Sequence, residues 1–239
     1  MLPYIVINGV SSKEVPGLLV QSLPPITKPK MRTSIEDIDG RDGDIVTTLG
    51  FAAYDKPITI GLKGEYNVDD IINYFNTSGK ITFSNELDKY YNFAIYDTID
   101  FNRLLRFKTA NINIHVQPFK FSIDEPPISW TNTKNTTIAD IAVRNTGNIY
   151  SRPKMTINGK GTITVYINNK QVLSMELSNT GETIIIDGAE MNATAPDGSF
   201  LNRKVTGDYN NVAFPIGLND LRVTGTLTSV DLIDYSRWI

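Results

Sequence analysis

Isoleucine and threonine together outnumber alanine more than five to one in this chain, 29 and 24 against 10. β-Branched side chains lose rotamer freedom in a helix and sit well on a pleated surface. The bias therefore excludes an all-helical fold and predicts a mostly β protein. Period-two alternation is clearest over 109–117, where Ile112, Ile114 and Val116 point one way and Asn111, Asn113, His115 and Gln117 the other. The same pattern predicts strands at 161–167 and 171–177. Asn168-Asn169 between them tolerates positive φ and predicts a hairpin. Further strands are expected at 5–9, 18–23, 34–38, 57–63, 80–84, 90–97, 138–144, 183–187 and 229–235. One short helix is expected over 68–76: Val68, Ile71, Ile72 and Phe75 share a face, and Asp69 and Asp70 suit the positive end of the helix dipole.

A length of 239 residues allows one large or two modest domains. Between Phe121 and Asn135 the alternation breaks at Asp124-Glu125-Pro126-Pro127, where two prolines deny ladder hydrogen bonds, and a polar run follows Trp130. The expected boundary gives domains 1–126 and 127–239.

The net charge is −3, and neither half conceals a basic face: 13 Lys/Arg stand against 15 Asp/Glu in residues 1–124, and 10 against 11 in the remainder. Nucleic-acid binding and attraction to an anionic membrane are therefore not expected. The chain has no cysteine and a single histidine, His115. That removes disulfides, thiolate zinc sites, cysteine nucleophiles and any multi-histidine metal site. The start of the chain reads as neither signal peptide nor membrane span, so cytoplasmic synthesis is expected and the sequons at Asn76, Asn135 and Asn192 carry no weight. No nucleophile-elbow, phosphate-loop or dinucleotide fingerprint occurs. His115 alternates with amides on the polar side of its strand, which favours a solvated or interface position over catalysis. No enzyme activity, cofactor or metal is expected.

The densest charge cluster runs Glu36-Asp37-Ile38-Asp39-Gly40-Arg41-Asp42-Gly43-Asp44. A calcium loop of the EF-hand type fails, because starting at Asp37 its fifth, sixth and twelfth positions are Arg41, Asp42 and Thr48. A glycine-hinged solvated loop is the simpler reading, and a polar contact between subunits is a third. Among the aromatics, Tyr90, Tyr91, Phe93, Tyr96, Trp130 and Trp238 are candidates for a sugar-stacking platform, though core packing is the commoner use. A carbohydrate-binding, cell-wall adhesion module is accordingly the alternative functional class.

Taken in order, several segments resemble one family, the distal tail (Dit-like) proteins of siphophages that infect Gram-positive bacteria. They are Ile7-Asn8-Gly9-Val10, Leu18-Leu19-Val20 with Pro24-Pro25-Ile26, Gly40-Arg41-Asp42-Gly43, Ile58-Thr59-Ile60, Gly79 to Ser84 and the Tyr90-Tyr91 pair. Val116-Gln117-Pro118-Phe119-Lys120-Phe121, Asn145 to Pro153 and a late strand from Asp231 to Trp238 complete the likeness.

The resemblance implies a structural virion protein at the tail tip: an N-terminal split β-barrel like that of tail tubes, forming a homohexameric ring, and an outward C-terminal galectin-like β-sandwich. It implies as partners the major tail tube protein on one face and the tail-associated hub or lysin protein on the other. The tape-measure protein and DNA would pass through the channel. Family members with larger C-terminal insertions hold receptor-binding proteins on an extended arm, for which residues 127–239 leave little room. A cyclic ring needs heterologous contacts. Glu36, Asp39, Arg41, Asp42 and Asp44 are the candidate interface residues, on a loop whose flanking strands form a hairpin, with Arg41 pairing across the subunit boundary. The channel wall is expected to be neutral or acidic.

Overall fold

The structure is a computed structural model that describes residues 2–233 and 236–239. The chain divides into two compact units, residues 2–123 and 124–238, both built mainly from strands.

In the first unit the elements are β1 (Ile5–Ile7), β2 (Val10–Ser11), β3 (Leu18–Ser22), β4 (Met31–Glu36), β5 (Ile45–Phe51), β6 (Tyr54–Leu62), α1 (Val68–Phe75), β7 (Ser78–Phe83), β8 (Lys89–Ala94), α2 (Phe101–Phe107) and β9 (Thr109–Ser122). An antiparallel sheet ordered β2-β1-β7-β8-β9-β6-β3 curls into a half-barrel. Its inner face follows from the alternation: Ile112, Ile114 and Val116 on β9 are buried beside Ile58 and Ile60 on β6. The amides and His115 face outward, as the sequence predicts.

Helix α1 lies where the pattern places it, with the Asn67 side chain accepting from Asp69 N at 3.0 Å. Its buried residues are Ile71, Tyr74 and Phe75; Val68 and Ile72 flank them half-buried. The expected apolar face is thus rotated toward Tyr74, whose hydroxyl donates to the carbonyls of Ile5 and Val10 at 3.3 and 3.2 Å. That satisfies its polar end inside the core.

Helix α2 is an element that the sequence reading, with its one helix, does not contain. Asp100 caps it by accepting from Arg103 N at 2.9 Å, and Lys108 closes it with φ of 57°. Only Leu104 among its residues is fully buried, so no two-turn apolar stripe announces it.

The second unit contains β10 (Ile128–Thr131), β11 (Ile138–Asn145), β12 (Lys154–Ile167), β13 (Lys170–Asp187), β14 (Asn192–Thr194), β15 (Val205–Gly207) and β16 (Gly217–Ile233). The Asn168-Asn169 hairpin forms as predicted, with φ of 50° and 64°, and it joins β12 to β13.

Three strands here are longer than the alternation alone suggests. β13 unites the segments 171–177 and 183–187, β12 begins at Lys154, and β16 includes the expected 229–233; Asp234 and Tyr235 lie outside the described residues. Each long strand serves two layers. Its one half pairs in the order β10-β16-β12-β13-β14, and its other half in the order β11-β16-β12-β13-β15. The ladder shifts register near Gly159 and Gly161, beside Gly225. At Gly225, φ is 133° and an added Cβ would stand 2.6 Å from the Thr162 carbonyl oxygen, so the corner requires glycine. The two layers enclose one apolar core that includes Ile157, Ile163, Val165, Val223 and Val230.

The Asn145-to-Pro153 segment closes one side of this core. Buried Asn145 donates to the carbonyls of Ile149 and Phe214 at 2.9 and 3.0 Å and accepts from Gly147 N at 2.8 Å.

Candidate subunit interface

Strands β4 and β5 pair with each other and, among the described residues, with no other strand. They form an arm of the first unit, with residues 37–44 as its tip. The five carboxylates from Glu36 to Asp44 and Arg41 are all exposed. A β-turn closes over 38–41, Arg41 N donating to the Ile38 carbonyl at 3.1 Å, with Gly40 at φ 82° in the position that needs positive φ.

Glu36 ends β4, and Asp39, Arg41, Asp42 and Asp44 lie exposed on the tip. Among the described residues, no group of three or more histidines and carboxylates is placed to hold a metal ion, and Arg41 has no ion-pair partner.

The arm carries a second feature that a reading centred on charge overlooks. Ile35 and Val46 are directly opposed across the two strands and are 60% and 57% exposed; Met31 and Leu49 are exposed as well. Met31, Thr33, Ile35, Val46 and Thr48 follow one another on one face by the register, and the Thr48 hydroxyl reaches Met31 Sδ at 3.8 Å. A two-stranded ribbon is marginal in water by itself, and one with an exposed apolar face more so. The signal was present in the sequence as the run Ile45-Val46-Thr47-Thr48-Leu49, but its exposure depends on no third strand covering it.

The outward face of β6 and β9 is polar. His115 Nδ1 lies 2.7 Å from Asp55 Oδ1, Asn113 donates to Asp97 at 3.1 Å, and Thr59 donates to Asn111 at 3.1 Å. A cleft of about 640 Å³ opens in this unit, lined by the amides of Asn76, Asn92 and Gln117 and by Tyr96, with no charged side chain. Of the aromatics considered for sugar stacking, Tyr91 and Phe93 are buried in the first core, Tyr90 stacks on Phe121, and Trp130 packs half-buried against the second core. Tyr96 is exposed and tilts over His115 at 5.4 Å between ring centres.

The fold is that of the Dit-like distal tail proteins of phages. A solved structure of the SPP1 Dit protein, described as a paradigm of the hub adsorption apparatus in phages infecting Gram-positive bacteria, matches with a TM-score of 0.63 at 16% identity, over 97% of this chain and 98% of that one. Two structures of the phage P2 baseplate in its activated conformation, one with Ca and one with Sr, match with TM-scores of 0.48 and 0.46 at 11% identity. They cover 98% of both chains and 97% of both chains, respectively. No protein-family profile matches the sequence, and no curated protein does.

Proposed function

We propose that the chain is a structural distal tail protein of a siphophage rather than an enzyme. Six copies of 26.6 kDa close into a ring of about 160 kDa at the tail tip. The ring joins the tail tube to the tail-associated hub protein and leaves a channel for DNA and the tape-measure protein. Residues 1–126 build the ring, and residues 127–239, a galectin-like sandwich, face outward. The protein is made in the host cytoplasm and ends in the virion. The observation that carries this reading is a single correspondence of fold running through both units, across 97% of the chain, with SPP1 Dit.

Two further observations support the arrangement. The β4–β5 arm offers a neighbour both an apolar face, Ile35 and Val46, and a charged tip. Arg41 pairs with a carboxylate of the next subunit, while Glu36, Asp39, Asp42 and Asp44 supply the opposite sign at the same boundary. The face bearing Asn111, Asn113, His115 and Gln117 lines the channel; phosphates find no lysine or arginine in that row, so cargo is not held.

Negative-stain images and light scattering of the purified chain, alone and mixed with its tube and hub proteins, test the proposal. Rings of about 160 kDa with a central hole are expected. Uniform monomers in every mixture would refute it. Arg41→Ala rings that form at the parent concentration with unchanged thermal stability would remove Arg41 from the interface.

A further inference from the structure

Lys56 stands where the alternation of β6 asks for an apolar residue. Lys56, Ile58 and Ile60 all point into the first core, and Lys56 is 2% exposed. Burying an ammonium costs several kcal/mol unless it is well partnered. The carboxylate that attracts it, Glu86, is already bonded to Lys120 Nζ at 2.9 Å and to the Tyr91 hydroxyl at 3.3 Å. Burial therefore lowers the Lys56 pKa, Glu86 opposing the shift and Lys120 adding to it.

What holds the ammonium instead is one backbone carbonyl and three rings. Nζ donates to the Pro25 oxygen at 3.1 Å and lies 5.0, 5.3 and 5.8 Å from the ring centres of Tyr91, Tyr54 and Phe83. Pro25 belongs to the irregular segment 23–30, which carries the chain from β3 to the arm. That segment is tied down at two more points: the Tyr54 hydroxyl donates to the Thr27 carbonyl at 3.4 Å, and Ala52 N donates to the Lys30 carbonyl at 2.8 Å. β4 and β5 pair only with each other among the described residues, so these ties, the edge contact of Phe51 with Phe119 and the short passage from β5 into β6 join the base of the arm to the first unit.

We propose that Lys56 is a latch: its ammonium, boxed by Tyr54, Tyr91 and Phe83, grips the Pro25 carbonyl and fixes the direction in which the β4–β5 arm leaves the first unit. A buried cation retained at an apolar position suits a geometric task better than a stabilising one. The latch acts within one chain, whether or not the arm meets a second copy.

The absence of cysteine makes the test clean, because Asp42→Cys at the arm tip and Asn111→Cys on β9 are then the only sites for spin labels. Pulsed dipolar spectroscopy of the labelled full chain, diluted into unlabelled chain, reads the distance between them. The parent should give one narrow distribution. Lys56→Met, which keeps the packing and removes the donor, should broaden it while leaving the melting temperature unchanged or higher; Lys56→Arg, which keeps a cationic donor, should restore the narrow form. An equally narrow distribution at the same mean in folded Lys56→Met overturns the latch. Should Lys56→Met fail to fold, Lys56→Gln, whose neutral amide falls short of Pro25, is read by the same measurement with the same two outcomes.

Discussion

Replacing Ile35 and Val46 together by threonine keeps two β-branched residues on the arm, and with them its strand propensity, while removing most of the apolar face. Full burial of such side chains stabilises by about 1.5–3 kcal/mol each. With 60% and 57% of each still exposed in the isolated chain, contact with a neighbour recovers about 1.5 kcal/mol per residue. Threonine's own methyl returns part of that, so the loss is about 2 kcal/mol per subunit contact, or roughly thirty-fold in affinity. Because the arm touches little else in its own unit, unfolding of the monomer should be almost unchanged. A closed ring has six contacts for five associations, so mass photometry over a dilution series should show the proposed ring of about 160 kDa giving way to 26.6 kDa chains at a concentration roughly sixty-fold higher than in the parent. Coincident dilution curves for parent and double variant would refute the assignment of this face to the interface.

Three other outcomes follow from the packing. Asn145→Ala strips partners from Gly147 N and from the carbonyls of Ile149 and Phe214; about 3 kcal/mol and roughly 10 °C in the calorimetric transition of the second unit are expected to go. Gly225→Ala drives a Cβ to 2.6 Å from the Thr162 carbonyl oxygen at a φ of 133°, and urea titration should register at least about 2–3 kcal/mol of destabilisation. Burial holds the phenols of Tyr74 and Tyr91 well above the usual tyrosine range. Above pH about 10 the unfolded chain therefore releases protons that the folded chain keeps, and stability should fall by up to about 1.4 kcal/mol per pH unit for each. Lys56, with its lowered pKa, contributes with the opposite sign below about 10.5, so thermal melts from pH 8 to 11 should decline steeply only in the last unit; a flat profile there would contradict the burial of these phenols.

Elements whose apolar period is local were legible in the sequence. The alternation of β9, the Asn168-Asn169 hairpin and the Asn67-capped α1 each depend on neighbours within a turn or a strand. What escaped depends on distant partners. α2 buries a single leucine and is defined by its caps. The continuity of β13 through Gly181 and the early start of β12 appear only when both strands bend together around the second core. The burial of Lys56 depends on Tyr54, Phe83 and Tyr91, from three different strands, which close around it. The acidic loop was legible as a loop, whereas the exposed apolar face beside it is set by which strands β4 and β5 do not pair with.

The three long strands of the second unit have a mechanical consequence. In a sandwich whose layers meet only through side chains, a pull on one layer is resisted by packing alone, and the layers can slide. Here β12, β13 and β16 each run through both layers without interruption, so a pull on either passes into the other along covalent backbone. A domain built this way resists shear along its length, and the glycine-marked corner, where the ladder is interrupted, is where it yields first.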